Sequence, residues 1–234
     1  KGLKTAVISK HMIFTGNPGT GKTTIARLIS KYLRAIGVLT GGQLVEVTRA
    51  DLVGRYVGHT APLTMQVMKS ALGGVLFIDE AYSLYRGKDD AFGLECIDTI
   101  VKGIEDYRDN LIVILAGYKQ EMETFLTSNS GLKSRFPNVI DFKDYTAEEL
   151  LLISKSIAKG KDYVITEECD APLLAFFDKI QKDDSKISGN GRLARNKVEE
   201  AMLNQATRLL KNPDANMQEL TMEDFNLDDS SFVE

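Results

Sequence analysis

Cysteine is scarce in this chain. Cys96 and Cys169 stand alone and far apart, with no CxxC spacing. A disulfide framework and a zinc cluster are therefore excluded as organising features, and free thiols in a reducing compartment are expected. Histidine is as thin: neither His11 nor His59 has a second histidine, or a Ser or Cys partner, at useful spacing. His11 reads as packed at the start of a strand and His59 as flanking a loop; neither is a candidate for catalysis. No apolar run approaches the roughly 20 residues that span a bilayer, no secretory signal is read, and a membrane is not an expected partner. A basic excess is missing too, since 29 Lys and Arg face 33 Asp and Glu for a net charge of -4. Gripping phosphate backbones calls for the opposite balance, so nucleic acid is disfavoured as the principal partner.

What is present is an ordinary globular composition. With 234 residues, 43% of them hydrophobic, there is enough apolar surface for one α/β domain and a smaller appended one. The chain begins with Lys1, and its first strand starts only about ten residues in; it reads as a piece of a longer protein.

Over residues 1–145 short apolar runs alternate with helix-period stretches. The runs lie at 11–15, 43–48, 74–78, 111–116 and 138–142, and three are almost wholly apolar, as strands buried on both faces of a parallel sheet must be. Between them helices are expected over 23–33, 60–72, 92–107 and 119–126. This alternation specifies a doubly wound α/β layer around a five-stranded parallel sheet. From 146 the pattern turns helical. Thr146-Ala147-Glu148-Glu149 is a capping box, and helices are expected over 147–158, 167–181 and 191–210. Residues 183–186 and 188–191 read as linkers, and 219–234 as a short helix or loose tail. The expected division is an α/β domain, 1–145, and a small all-helical domain, 146–234.

The strongest chemical signal is Gly16-Asn17-Pro18-Gly19-Thr20-Gly21-Lys22-Thr23-Thr24. It matches GxxxxGK(S/T) and sits after a strand and at a helix start, where backbone N–H groups and a helix N-terminus can cradle phosphates. Lys22 is placed to reach the β- and γ-phosphates of ATP, and Thr23 to ligate Mg2+. A second signal, Val75-Leu76-Phe77-Ile78-Asp79-Glu80, is a buried strand that ends in adjacent acids. Strand carboxyl ends are where open α/β sheets bind ligands. Asp79 is the candidate metal ligand and Glu80 the candidate general base for an attacking water; solvated turn acids are the competing reading.

Taken in order, HMIFTGNPGTGKTT, VTRADLVGRYVGHTA, GGVLFIDEAYSLYRG, VILAGY and SGLKSRFP resemble the AAA+ ATPase family of stage V sporulation protein K, red-type Rubisco activase (CbbX) and the ATPase of type VII secretion. The likeness runs over nearly the whole chain. It implies a cytosolic or plastid-stroma ATPase that forms homo-oligomeric rings, often hexamers, and binds ATP and Mg2+ between the α/β domain and a helical lid. Arg135 resembles the arginine finger that reaches a neighbour's ATP, with a surface salt bridge as the alternative. Arg192 resembles the lid arginine that senses nucleotide, with Arg195 one turn on as its rival. Tyr56-Val57-Gly58 resembles the pore loop that grips a polypeptide client, with an ordinary packed tyrosine as the alternative. Tyr118 falls where the family's water-orienting sensor stands, although a tyrosine departs from the usual polar residue there. The segment that family members carry ahead of the phosphate loop is mostly missing.

The function this implies is a ring subunit that remodels or threads a client protein, a Rubisco client among the options. Two other classes stay open. A self-contained P-loop kinase leaves Glu80 beside Asp79 and the trailing helical domain without a purpose. A DNA-directed AAA+ loader would add a basic surface, and none is evident.

Overall fold

The apolar runs assemble into one parallel sheet in the computed structural model, which describes residues 9–183 and 189–227. The residues expected as a linker at 184–188 and those of the tail at 228–234 lie outside the described residues. In chain order, β1 (Met12–Gly16) leads to α1 (Lys22–Ala35), β2 (Leu44–Val47), the short α2 (Arg49–Leu52), α3 (Thr60–Ser70) and β3 (Val75–Ile78). A 3-10 turn (Ala81–Leu84), α4 (Ala91–Asp106), β4 (Ile112–Gly117), α5 (Lys119–Ser128), α6 (Ser130–Arg135) and β5 (Asn138–Phe142) follow.

The strand order is β2-β3-β4-β1-β5, and every pairing is parallel. From β1 the chain crosses to the β2 edge and walks back through β3 to β4 beside β1. It then steps over β1 to β5. The carboxyl end of β1 thus lies where the strand order reverses, the place such sheets keep for ligands.

Period-two alternation sends successive side chains to opposite faces. Leu76, Ile78, Val113 and Leu115 join a core with Leu52, Met68, Ile97 and Ile100. Val75, Phe77, Ile112, Ile114 and Ala116 join another with Phe14, Ala26 and Leu39. Strands β3 and β4 expose no residue on either face, whereas β5, at the edge, is mostly exposed. Two of the long helices, α4 and the later α7 (Ala147–Lys159), begin at sequence-encoded caps. Asp90 accepts the Gly93 N–H at 3.0 Å to start α4.

Residues 17–20 and those from 143 onward form a second unit. Its elements are α7 (Ala147–Lys159), β6 (Val164–Ile165), α8 (Asp170–Asp183), α9 (Gly191–Lys211) and β7 (Glu219–Leu220). The expected capping box forms: Thr146 Oγ1 accepts the Glu149 N–H at 3.2 Å, and the Glu149 carboxylate accepts the Thr146 N–H at 2.9 Å. Leu150, Leu173, Phe177, Ala194, Val198 and Leu220 are fully buried in this unit's own core. Beyond the helices the unit has a two-stranded parallel ribbon, Val164 opposite Glu219 and Ile165 opposite Leu220. Arg208 and the buried Asp224 close the chain back onto α9 with contacts of 2.8 and 2.9 Å. Where the sequence suggested a linker at 188–191, Asn190 is fully buried and its side chain hydrogen-bonded.

His11 is packed as expected, 4% exposed against Phe136, and its Nδ1 accepts the Val113 N–H at 3.0 Å. Burial, with help from Lys10, lowers its pKa from 6.5 to about 4. Because the folded value is the lower one, its contribution is complete above about pH 6.5 and is lost as pH falls through about 4. Urea titrations across that window should show a loss of at most about 3 kcal/mol in the native protein. In His11→Gln, which keeps an acceptor but does not titrate, that part of the slope should vanish.

Candidate functional site

Strand order gathers the predicted residues at one edge of the sheet. Ile78 pairs with Leu115 and Thr15 with Gly117. The phosphate loop after β1, Tyr118 after β4 and Asp79-Glu80 after β3 therefore leave three adjacent strands at the same carboxyl edge. Helix α1 starts at Lys22 behind Gly21, which is left-handed (φ 92°), and no side chain caps it. Its first-turn N–H groups, those of Lys22, Thr23 and Thr24, thus present a helix N-terminus suited to an anion. The Lys22 ammonium donates to the Gly16 carbonyl at 2.8 Å, at the head of the same loop.

Asp79 and Glu80 are built differently although adjacent. The Asp79 N–H donates to Val47 O at 2.8 Å, extending the β2–β3 ladder by one bond. Glu80 then turns into the left-handed region (φ 48°, ψ 44°), where a side chain with a Cβ is strained. It stays there with its N–H on Asp79 Oδ1 (3.0 Å) and its carbonyl accepting from Ser83 N (2.8 Å). Its side chain is exposed. Strain at an exposed carboxylate beside a half-buried one is the kind of local cost that accumulates at working sites. Tyr118 caps α5 and packs its ring 5.9 Å from that of Tyr82. The Tyr82 hydroxyl is pushed up to about 12 by burial, then by Glu80 and nearby groups including Asp79.

In the second unit, residues 17–20 are held by groups the sequence did not single out. Asp144 accepts from Asn17 Nδ2 at 2.9 and 3.0 Å and from Asn190 Nδ2 at 2.8 Å. Asn190 Oδ1 accepts the Tyr145 N–H at 3.0 Å, and the Gly191 N–H donates to Gly19 O at 3.1 Å. Gly19 (φ 75°) approaches so closely that a Cβ there would lie 2.1 Å from Gly189 O. Thr20 closes the turn on Asn17 O, and the Tyr145 hydroxyl donates to Thr20 O. Pro18 contributes its carbonyl, which accepts from Asn190 at 3.3 Å. Gly-Asn-Gly read as a turn; its burial on the loop has no local sequence signal. Arg192, exposed, follows directly on Gly191, and Arg195 is exposed one turn later.

The predicted loop Tyr56-Val57-Gly58 and Arg135 stand on other segments, between α2 and α3 and at the end of α6. Tyr56 and Val57 are 68% and 88% exposed, and around Gly58 (φ 82°) a Cβ would meet nothing within 4 Å. Tyr56 is therefore not a packed tyrosine; it only leans on His59, ring centroids 5.6 Å apart. Arg135 ends α6 and is half-buried. Its Nη1 donates to Gly131 O at 3.2 Å, and its Nε is 3.8 Å from Glu105 and buried without a hydrogen bond.

A phosphate cradle at the reversal point of a parallel sheet, with paired acids two strands away, defines a nucleotide-binding P-loop ATPase. Two family models match the chain: the ATPase family associated with various cellular activities (AAA) over residues 12–144, and the AAA lid domain over 146–233. The chain belongs to the AAA ATPase family, and ATP hydrolysis is its reaction. Within that family it is similar to stage V sporulation protein K of Bacillus subtilis, 49% identical over 90% of this chain and 66% of that one. It is also similar to the chloroplastic ribulose bisphosphate carboxylase/oxygenase activase of Cyanidioschyzon merolae, 46% identical over 91% and 72%. These are the relatives that the sequence motifs resemble. Among solved structures, a RuvB mutant from Thermotoga maritima (TM-score 0.61, 24% identity, 88% of this chain and 59% of that one) shares the fold. So does the FIGL-1 AAA domain (TM-score 0.61, 20% identity, 92% and 68%).

If Glu80 is held left-handed at a cost, glycine should relax it. Glu80→Gly is expected to stabilise the protein by about 0.5–1 kcal/mol, a melting-temperature rise of about 1–4 °C, net of glycine's greater unfolded-state freedom. Glu80→Ala, which keeps the Cβ, should show no such gain in a thermal melt.

Proposed function

We propose that the chain works as one subunit of a homo-oligomeric ring, a hexamer, that couples ATP hydrolysis to remodelling of a client protein drawn along a central pore. The observation that carries this reading is Glu80, held strained beside Asp79 at the sheet edge that also bears the phosphate loop. A simple phosphate-binding turn has no use for that strain. The exposed Tyr56-Val57-Gly58 loop supports the second half, since an aromatic and an aliphatic side chain left in solvent can grip a polypeptide without regard to its sequence.

In this mechanism Asn17–Thr24 cradle the phosphates and Lys22 sets its charge against the β- and γ-oxygens. Glu80 accepts the proton of the attacking water, and Tyr118 helps orient that water. The donor set fits a hard cation: Thr23 hydroxyl and Asp79 carboxylate are oxygen ligands, and no cluster of three or more His, Cys, Asp or Glu competes among the described residues. Mg2+ held there would neutralise charge on the phosphates. Arg192 contributes the lid's cation, and Arg135 of one subunit supplies the cation for the next subunit's site. Among the described residues no helix is long and apolar enough to cross a membrane. The proposed compartment is the cytosol, or the plastid stroma.

The test is ATPase rate per subunit against protein concentration. A shared site predicts a steep rise with concentration. Arg135→Ala should then lose about 10^3-fold or more in kcat, the scale of an arginine finger, while still binding nucleotide. A flat dependence with an active Arg135→Ala protein would mean a self-contained site and would remove Arg135 from the mechanism.

A further inference from the structure

Outside the phosphate loop, Arg49 carries a dense side-chain network. This residue opens α2, immediately before the Tyr56–Gly58 loop. Its guanidinium grips Asp90 with both nitrogens, Nη1 to Oδ2 at 2.7 Å and Nη2 to Oδ1 at 3.0 Å. Nη1 also donates to the carbonyls of Ser83 (2.9 Å) and Leu84 (3.1 Å). The two side chains are only 16% and 12% exposed. Asp90 in turn caps α4 through the Gly93 N–H. One planar group therefore ties together three segments: α2, the 3-10 turn that follows Glu80, and the start of α4.

We propose that the Arg49–Asp90 pair is the link that carries the nucleotide state of Asp79-Glu80 to the Tyr56–Gly58 loop. The proposal rests on the reading of that loop as the client-gripping one. The upstream contact is direct. Ser83 N donates to Glu80 O at 2.8 Å, so a change in the strained backbone at Glu80 shifts the Ser83 and Leu84 carbonyls that Arg49 holds. The downstream path is short and stiff. Val53 N donates to Arg49 O at 2.9 Å, Thr64 Oγ1 to Leu52 O at 2.8 Å, and Gly54 N to Thr60 Oγ1 at 3.1 Å. These bonds fix the base of the loop, while its tip stands in solvent.

Stability gives a weak reason for such a pair. Taking two charges out of water costs about what their attraction returns, and apolar replacements of similar volume are often neutral or better. A bidentate fork does what an apolar contact cannot: it fixes the relative orientation of the segments it joins. Arg49 is on this account a positioning residue, and lysine, a point charge, cannot replace it.

The chain contains no tryptophan, so Tyr56→Trp places a single reporter at the loop tip. Its emission would be compared with ADP and with a non-hydrolysable ATP analogue bound, nucleotide affinity being measured separately by calorimetry. With Arg49 present, the two nucleotides should give different emission. In Arg49→Met/Asp90→Leu, which removes both charges together, that difference should fall at least threefold with nucleotide affinity nearly unchanged, while the melting temperature drops only by what the lost α4 cap costs. Arg49→Lys should not restore it. Asp90→Asn, which retains the α4 cap, provides a milder second variant with the same expected direction. A full emission difference in the double variant overturns the proposal alone. Loss of nucleotide binding in the double variant also overturns it, by placing the pair in the site itself. No difference even with Arg49 present overturns it together with the reading of the loop.

Discussion

Strands β3 and β4 have no exposed face, and that constraint dictates how the rest of the first unit is built. Side chains alternate between two separate cores, so helices must cover both faces. Each crossover then returns to the same end of the sheet, and the backbone meets solvent productively only at the strand ends. Polar chemistry has one place to go, the carboxyl edge. The phosphate loop, Tyr118 and Asp79-Glu80 are consequently neighbours in space although scattered over about a hundred positions of sequence. The site is a consequence of the sheet's burial rather than an addition to it.

Against that regular background the local departures stand out. Glu80 is left-handed with a Cβ, Arg49 and Asp90 are charges taken largely out of water, and Arg135 keeps a buried Nε that finds no hydrogen bond among the described residues. None of these is what stability alone would select. Glu80 lies at the carboxyl edge of the sheet, and Arg49 and Asp90 hold the turn that follows it. The phosphate loop shows the same economy by other means. Residues 17–20 are shaped by Asp144 and Asn190 rather than by their own side chains alone, and Gly19 is the residue small enough to pass Gly189.

Much of this was legible beforehand, for definable reasons. Strands buried on both faces advertise themselves as unbroken apolar runs, and α7 begins at the Thr146 cap. Strand β5 begins and ends where the pattern placed it, and α3 and α5 begin where it placed them. The phosphate loop and the acid pair were legible because their chemistry constrains consecutive residues. What escaped is set by distant partners. Asn190 looked like a turn residue because its partners, Asp144, Tyr145 and Pro18, are remote in sequence. The β6–β7 ribbon is two residues per strand, too short to carry a period. Arg49 lay inside a quoted motif, yet nothing local says that its partner is Asp90.

Arg135 shows how such departures and the proposed function fit together. A finger must leave its own fold, yet here the side chain lies back along α4 toward Glu105. The energetics permit both states. Its contact to Glu105, at 3.8 Å with the acid 58% exposed, is of the kind worth at most about 1 kcal/mol. The side chain's hydrogen bond to Gly131 O, at 3.2 Å, is long. A guanidinium on phosphate oxygens makes shorter, charge-assisted and bidentate bonds. On the proposed reading, the folded-back position is therefore a weak resting place that stores the side chain close to the protein until a neighbour's nucleotide draws it out. The same proposed reading accounts for an Nε that has only the distant Glu105 carboxylate beside it.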